Sequence, residues 1–210
     1  MHDQRTEGWL SERTGKVTAS AVFKVMKKTK TGYGADRANY LAELVTERLT
    51  GLPVSSFSNA AMQHGIDTEP QARAAYQFRL GYSVEETGFH PHPFIAMFGA
   101  SPDGLCGDAG LVEIKCPNSA THIETLRGGS IAKKYMLQMQ VQMACTGRDW
   151  CDFVSFDPRM PLELQLHSQR VMRDDKLIAE IEAEVGDFLA EVDATVADLR
   201  TRYNMKEAAE

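Results

Sequence analysis

Cysteine is scarce in this chain: there are four, Cys106, Cys116, Cys145 and Cys151, and none forms a CxxC pair. No secretory leader is apparent ahead of them, so they read as free thiols of a reducing cytoplasm. Their irregular spacing argues against zinc, and His90 and His92 sit in an extended, proline-flanked PHP segment rather than on a ligand-bearing helix. Long apolar runs are missing too. Nothing approaches the roughly 20 residues of a membrane span, and no targeting segment is visible. Repeats and low-complexity tracts are absent, which excludes repeat architectures. What remains is 210 residues, 43% hydrophobic and 25% charged. That is the composition of one globular domain, here expected to span residues 1–210, with enough chain to bury a core unaided.

An excess of positive charge is also lacking. The net charge is -6, which at first sight disfavours a nucleic-acid partner. The charge is uneven, however. Residues 1–50 carry 9 Lys/Arg against 6 Asp/Glu, whereas residues 174–210 carry 4 against 11. An acidic terminal segment can mask a locally basic working surface, so total charge does not exclude DNA.

The pattern along the chain predicts an α/β fold. A short helix is expected around Trp9 and a second over VTASAVFKVM (residues 17–26), with the basic, glycine-punctuated KKTKTGYGA after it reading as a loop. Tyr40, Leu41, Leu44, Val45 and Leu49 fall at helical spacing and end on Gly51. After the loop LPVSSFS, a helix runs from about Asn59 to Leu80, interrupted or kinked at Pro70. Four β-type runs follow: YSVEETGFHPHPFIAMFGA, GLVEIKC, WCDFVSFD and LELQLHSQRV. A helix over KKYMLQMQVQMACT lies between the second and third of them. From Asp174 to Tyr203 the apolar residues recur every three to four positions, predicting a long helix with an acidic, solvated face. The sum is a central mixed β-sheet flanked by helices and covered by a long C-terminal helix.

The chemistry concentrates in SPDGLCGDAGLVEIKCP, residues 101–117. Glu113 and Lys115 are two apart, so a strand directs both side chains to one face. The intervening GDAG suits a tight turn, which would fold Asp103 back beside Glu113. Two adjacent carboxylates repel unless a proton or a cation lies between them. Mg²⁺ suits such a pair, since it takes few oxygens from protein and the rest from water and phosphate. Lys115 could orient or help deprotonate an attacking water beside that metal. The bland alternative is a surface hairpin with an ordinary ion pair, and short Asp…Glu-x-Lys patterns also arise by chance. Glu69, in HGIDTEPQAR on the preceding helix, is a candidate third acid.

The order GKVTAS, HGIDTEPQAR, ASPDGLCGDAGLVEIKCP, RGGSIAKKYMLQMQVQM and FDPRM resembles the phage lambda exonuclease and viral recombinase (YqaJ-like) family. That family lies within the PD-(D/E)xK nuclease superfamily, whose core is restriction-endonuclease-like. The likeness runs from about Trp9 to Met160 and plausibly on through the terminal helix. It implies a Mg²⁺-dependent exonuclease, with one or two ions and Mn²⁺ as a substitute, that digests one strand of linear duplex DNA from the 5′ end. The 3′ single strand so left would serve strand-annealing recombination. It further implies a ring-shaped homotrimer around double-stranded DNA ends, a single-strand annealing protein as partner, no membrane, and a phage or prophage origin in a bacterial cytoplasm. The alternative is an endonuclease of restriction or repair type; a DNA-binding or phage structural module without catalysis is a third reading.

Position by position, the resemblance makes Asp103, Glu113 and the Ile114 carbonyl metal ligands and Lys115 the residue that activates water. Glu69 matches the helix acid and is a further candidate ligand, and Gln138 matches a helix glutamine facing the site. Tyr135, Gln138 and Gln142 share one helical face, whose bland reading is a solvated polar stripe; Tyr135 is a candidate DNA contact. Arg13, Ser20 and Ser101 match residues that grip a 5′-phosphate, a chemistry that an arginine fork and hydroxyls suit. Without the resemblance Arg13 reads as a surface arginine and Ser20 as a helix-start residue. Met62 matches an apolar wedge that splits the terminal base pair, its bland alternative being a buried methionine. The chain departs from the pattern at Thr121, where the family has a second phosphate-binding arginine, and by a short deletion between Gly129 and Ile131. Lys133, Lys134 or the Lys24–Lys30 loop are the cations that could compensate.

Overall fold

The computed structural model describes residues 2–29, 32–54 and 60–205. Most of the expected LPVSSFS loop and the helix start at Asn59 lie outside the described residues. Thr6 opens helix α1 (Glu7–Arg13), its hydroxyl accepting from the Trp9 amide at 3.3 Å. The next segment departs from the helix expected over residues 17–26. Val17–Thr18 forms strand β1, Ala19–Ala21 a 3₁₀ turn, and only Val22–Met26 is helix α2. The reason is tertiary. Val17, β-branched and fully buried, donates its amide to Met97 at 2.8 Å and pairs in parallel with a later strand.

The expected loop over residues 27–35 instead contains a two-stranded ribbon, β2 (Lys28–Thr29) and β3 (Gly32–Tyr33). It is tied down by Glu184, which pairs with Lys28 and accepts from the Tyr33 hydroxyl at 2.6 Å. Helix α3 (Ala35–Thr50) ends at Gly51 as expected. Helix α4 (Ala60–Leu80) runs continuously through Pro70.

The single strand expected over residues 82–100 is three short ones, β4 (Val84–Glu85), β5 (His90–Pro91) and β6 (Phe98–Ala100). The run changes sheets: β4 pairs with the later strand Gly104–Cys106, whereas β5 folds back antiparallel onto β6. Then come β7 (Gly104–Cys106), β8 (Gly110–Lys115), α5 (Ser119–Leu126), α6 (Lys133–Thr146), β9 (Trp150–Phe156), a 3₁₀ turn at Leu162–Leu164, β10 (Leu166–Met172) and α7 (Asp175–Arg202). Helix α5 was not expected; Asn118 caps it, accepting from the Thr121 amide at 2.9 Å. No helix among the described residues is long and apolar enough to cross a membrane.

The main sheet has the order β10-β9-β8-β7-β4, with β8 and β9 parallel and the other pairs antiparallel. A parallel neighbour needs a crossover, and α5 and α6 form it. Helix α4 covers one face, where Ala72 and Tyr76 meet Val112, Ile114, Val154 and Phe156. Helix α6 covers the other, where Met139 and Met143 meet Leu111, Cys151 and Phe153. With both faces covered, Gly110–Ile114 is buried throughout and the sequence of β8 does not alternate. A second sheet, β1-β6-β5, adjoins a cluster in which α7 packs Ile181, Val185 and Phe188 on Tyr40, Leu44, Val22 and Val25. Each such fully buried apolar side chain stabilises the fold by roughly 1.5–3 kcal/mol relative to exposure.

Candidate active site

The β7–β8 hairpin builds the centre of the site. Gly107 turns it at φ 56°, a left-handed conformation that glycine adopts without strain. Gly110 lets the Trp150 ring approach to where a Cβ would lie only 2.1 Å from it. The register pairs Gly104 with Val112, which carries Asp103 to the end of β8 beside Glu113, as expected. The Asp103 carboxylate accepts from the Ile114 amide at 2.7 Å.

Glu113 is fully buried and points toward α6. Its Oε1 accepts from Gln138 at 2.8 Å and pairs with the Lys115 ammonium; its Oε2 accepts from Gln142 at 2.6 Å. Gln142 is itself fully buried, so the alternative of a solvated polar stripe is wrong for this face. Burial pushes Asp103 up to about 7, with the neighbouring Glu113 charge adding to it, against the pull of Lys115 and the Ile114 amide. Burial alone would lower Lys115, but the Glu113 and Asp103 carboxylates outweigh it and hold the ammonium above its ordinary range. The Lys115 ammonium also lies 5.1 Å from the Tyr135 ring centroid, and that ring stacks on Phe153 at 5.8 Å. Lys115, Thr121 and Tyr135 line one cavity of about 200 Å³.

Glu69 approaches from α4 and lines a separate cavity with Asp103. Burial and then the Asp103 charge raise its carboxyl, while Arg5 opposes them. Its oxygens are taken by two arginines, Arg5 and, at 2.8 Å, Arg73, which also reaches Glu86 at 2.5 Å. Among the described residues no cluster of three or more His, Cys, Asp or Glu side chains is arranged to hold a metal. Asp103 and Glu113 are hard oxygen donors whose mutual repulsion a cation would relieve, with Glu69 lining a cavity beside Asp103. That fits Mg²⁺, which draws only one or two carboxylates from protein.

The phosphate-grip candidates come together beside α1. The Arg13 guanidinium lies 4.0 Å over the Trp9 ring, and the Trp9 indole donates to the Ser101 hydroxyl at 2.9 Å. Ser20 lies 3.3 Å from the Thr18 hydroxyl. Arg13, Ser20 and Met62 line one cavity of about 480 Å³ with Trp9, Lys24 and Tyr40. Arg13 is half-buried, not a surface arginine, and among the described residues its guanidinium has no carboxylate partner. Burial lowers its pKa, with Tyr40 and Glu47 opposing. Met62 is 48% exposed, against the alternative of a buried methionine.

Other site-shaping residues were missed in the sequence. Arg73 had a signal, its i,i+4 spacing from Glu69. Arg5 and Trp9 had none that points to their partners, which lie 64 and 92 residues away. The DPRM run closes the hairpin's exit. Buried Asp157 accepts from the Arg159 side chain at 2.7 Å, and Arg159 donates onward to the Pro117 carbonyl at 3.2 Å.

Comparison with known proteins places this geometry. An alkaline exonuclease from Laribacter hongkongensis (LHK-Exo) superposes with a TM-score of 0.89 at 54% identity, covering 95% of this chain and 98% of that one. A phage-related exonuclease from Haemophilus somnus shares the fold alone, with a TM-score of 0.68 at 17% identity over 90% of this chain and 99% of that one. An uncharacterized protein of Acanthamoeba polyphaga mimivirus is 29% identical over 166 residues, 72% of this chain. The chain spans only 29% of that relative's length. The model of the YqaJ-like viral recombinase domain matches residues 8–149, a segment holding α1, the carboxylate hairpin and the glutamine helix, and the chain belongs to that family.

Proposed function

We propose that this nuclease is a divalent-metal-dependent exonuclease that digests one strand of linear duplex DNA from its 5′ end, leaving a 3′ single strand for strand-annealing recombination. The observation that carries the reading is the pairing of Asp103 with Glu113, a buried carboxylate addressed by Lys115, Gln138 and Gln142. Asp103, Glu113 and the Ile114 carbonyl would hold Mg²⁺, or Mn²⁺ in its place. When bound, the cation polarises a phosphate oxygen and makes a water more acidic.

The chain's own residues supply the rest. Gln138 and Gln142 fix the Glu113 carboxylate, so the ligand is set before substrate arrives. Lys115 donates toward the attacking water and orients it beside Glu113. Arg13, Ser20 and Ser101 seat the terminal 5′-phosphate, which places the next phosphodiester at Asp103, two residues from Ser101. Met62 wedges the terminal base pair, and Tyr135 contacts the strand next to Lys115. Water gives up a proton to solvent and adds its oxygen to phosphorus, and the P–O3′ bond breaks as O3′ takes up a proton, freeing a nucleoside 5′-monophosphate and exposing a new 5′-phosphate. A structure of LHK-Exo in complex with dAMP, 55% identical over 95% of this chain, supports a product of that chemical class. The same reading makes the working form a ring-shaped trimer that hands its 3′ strand to an annealing protein.

The test is digestion of linear duplex labelled at either end, with and without a 5′-phosphate, beside closed circular DNA. Label leaves the 5′ end first and the circle survives. Release from the 3′ end overturns the polarity; cutting of the circle favours the endonuclease instead.

A further inference from the structure

The segment before α1 has no part in the mechanism above, yet it crosses the acid cluster. Asp3, Gln4 and Arg5 line a cavity of about 330 Å³ together with Glu69, Arg73 and Asp103. Gln4 is half-buried there, and its amide nitrogen donates twice: to the Pro102 carbonyl at 2.7 Å and to the Thr87 carbonyl at 2.9 Å. One primary amide thus commits both its hydrogens to backbone carbonyls of two separate segments. The Pro102 carbonyl belongs to the peptide that leads into Asp103. That peptide is planar, so fixing its oxygen fixes the plane from which Asp103 departs. Asp103 is therefore held at two points, on its carboxylate by the Ile114 amide and behind its backbone by Gln4. The turn that aims Gln4 inward passes through Arg5, a non-glycine residue at φ 71° whose guanidinium pairs with Glu69. Such a conformation persists only when its surroundings impose it.

We infer that Gln4 is a positioning residue of the metal site, fixing the Pro102–Asp103 peptide and through it the Asp103 carboxylate. This rests on reading Asp103 as a metal ligand. Groups that orient ligands typically change metal affinity 10- to 100-fold. Gln4 reaches the ligand's backbone rather than its side chain, so the lower end, about tenfold, is expected.

The experiment is calorimetric titration of the intact protein with Mn²⁺ alone, for wild type, Gln4→Met and Arg5→Gly, followed by kinetics on linear duplex. Gln4→Met keeps the side chain's length and removes both donors. It should weaken Mn²⁺ binding about tenfold and lower kcat, while KM for DNA ends stays within about twofold and the thermal midpoint barely moves. Arg5→Gly relaxes the turn and removes a cation beside the acids while leaving the Gln4 bonds in place, so Mn²⁺ binding should not weaken. Unchanged Mn²⁺ affinity in Gln4→Met overturns the inference, and so does an equal loss in Arg5→Gly, which would make general order of the segment the cause. If wild type binds no Mn²⁺, the metal reading of Asp103 itself fails. The end-label assay tests polarity independently of either result.

Discussion

Glu113 on β8 and Asp152 on β9 lie one register step apart, since Val112 is the partner of Asp152, and they project to opposite faces of one sheet. Both are buried, and their partners differ. Asp152 receives the Arg170 fork at 2.8 and 2.9 Å and the Tyr76 hydroxyl at 2.8 Å; the guanidinium in turn lies 3.5 Å from the Trp150 ring centroid. Charge is balanced one to one and the oxygens are occupied, which makes the pair structural. Glu113 instead has two neutral amides and one ammonium, with a second carboxylate, Asp103, beside it. Once Asp103 is ionised, the cluster has one more negative charge than its lysine balances, and Lys115 keeps 27% of its side chain exposed. A buried acid closed by an arginine fork holds the fold together, while one left in excess charge at an opening is equipped to take a cation.

Four measurements test that contrast. The largest concerns chemistry. Asp103→Ala and Lys115→Ala should each lower kcat by at least about 10³-fold, as removal of groups acting as a unit does, with the circular dichroism spectrum retained. Residual activity near wild type would refute the site. Next comes Asp152→Ala, which strands Tyr76 and Arg170. Breaking a buried pair costs about 3–5 kcal/mol, but Arg170 is partly exposed and can turn to water, so roughly 2–3 kcal/mol is expected in urea unfolding. Activity per folded molecule should stay unchanged.

The third result is a pH dependence. Asp103 is pushed up to about 7 by burial and then by Glu113, so below that pH it carries a proton that a metal must displace. Apparent Mn²⁺ affinity should fall toward tenfold per unit as pH drops below about 7. Between the unfolded carboxyl range near 4 and about 7 the native state binds the extra proton. This group's contribution to metal-free stability is therefore full at low pH and lost as pH rises through that window. A pH-independent affinity would mean that Asp103 is not a ligand. The smallest effect is expected for Gln142→Met, which removes one donor from Glu113. A loss of about tenfold in kcat with an unchanged KM is expected, since a hydrogen bond to a charged acceptor is worth about 1.5 kcal/mol.

Much of this was legible in the chain. The helix ends at Gly51 and Gly147, the long amphipathic α7 and the turn between Asp103 and Glu113 all follow from local rules, because caps, period and tight turns are set by neighbouring residues. Errors fell where distant partners decide. Val17–Thr18 became a strand because Phe98 and Gly99 lie alongside, and Lys28–Thr29 paired with Gly32–Tyr33 where Glu184 reaches them from α7. The hairpin acids could be predicted; the burial of Gln142 against Glu113 could not, since a polar i,i+4 pair reads the same whether it faces water or a carboxylate.

Side-chain chemistry and local geometry were enough to mark Asp103 and Glu113 as hard oxygen donors that a short turn brings together. What each is worth depended on long-range packing. It stacked Trp9 under Arg13, closed Asp152 with Arg170 and brought Gln4 and Arg5 across the acids, because contacts between residues far apart in the chain depend on packing that no local pattern records.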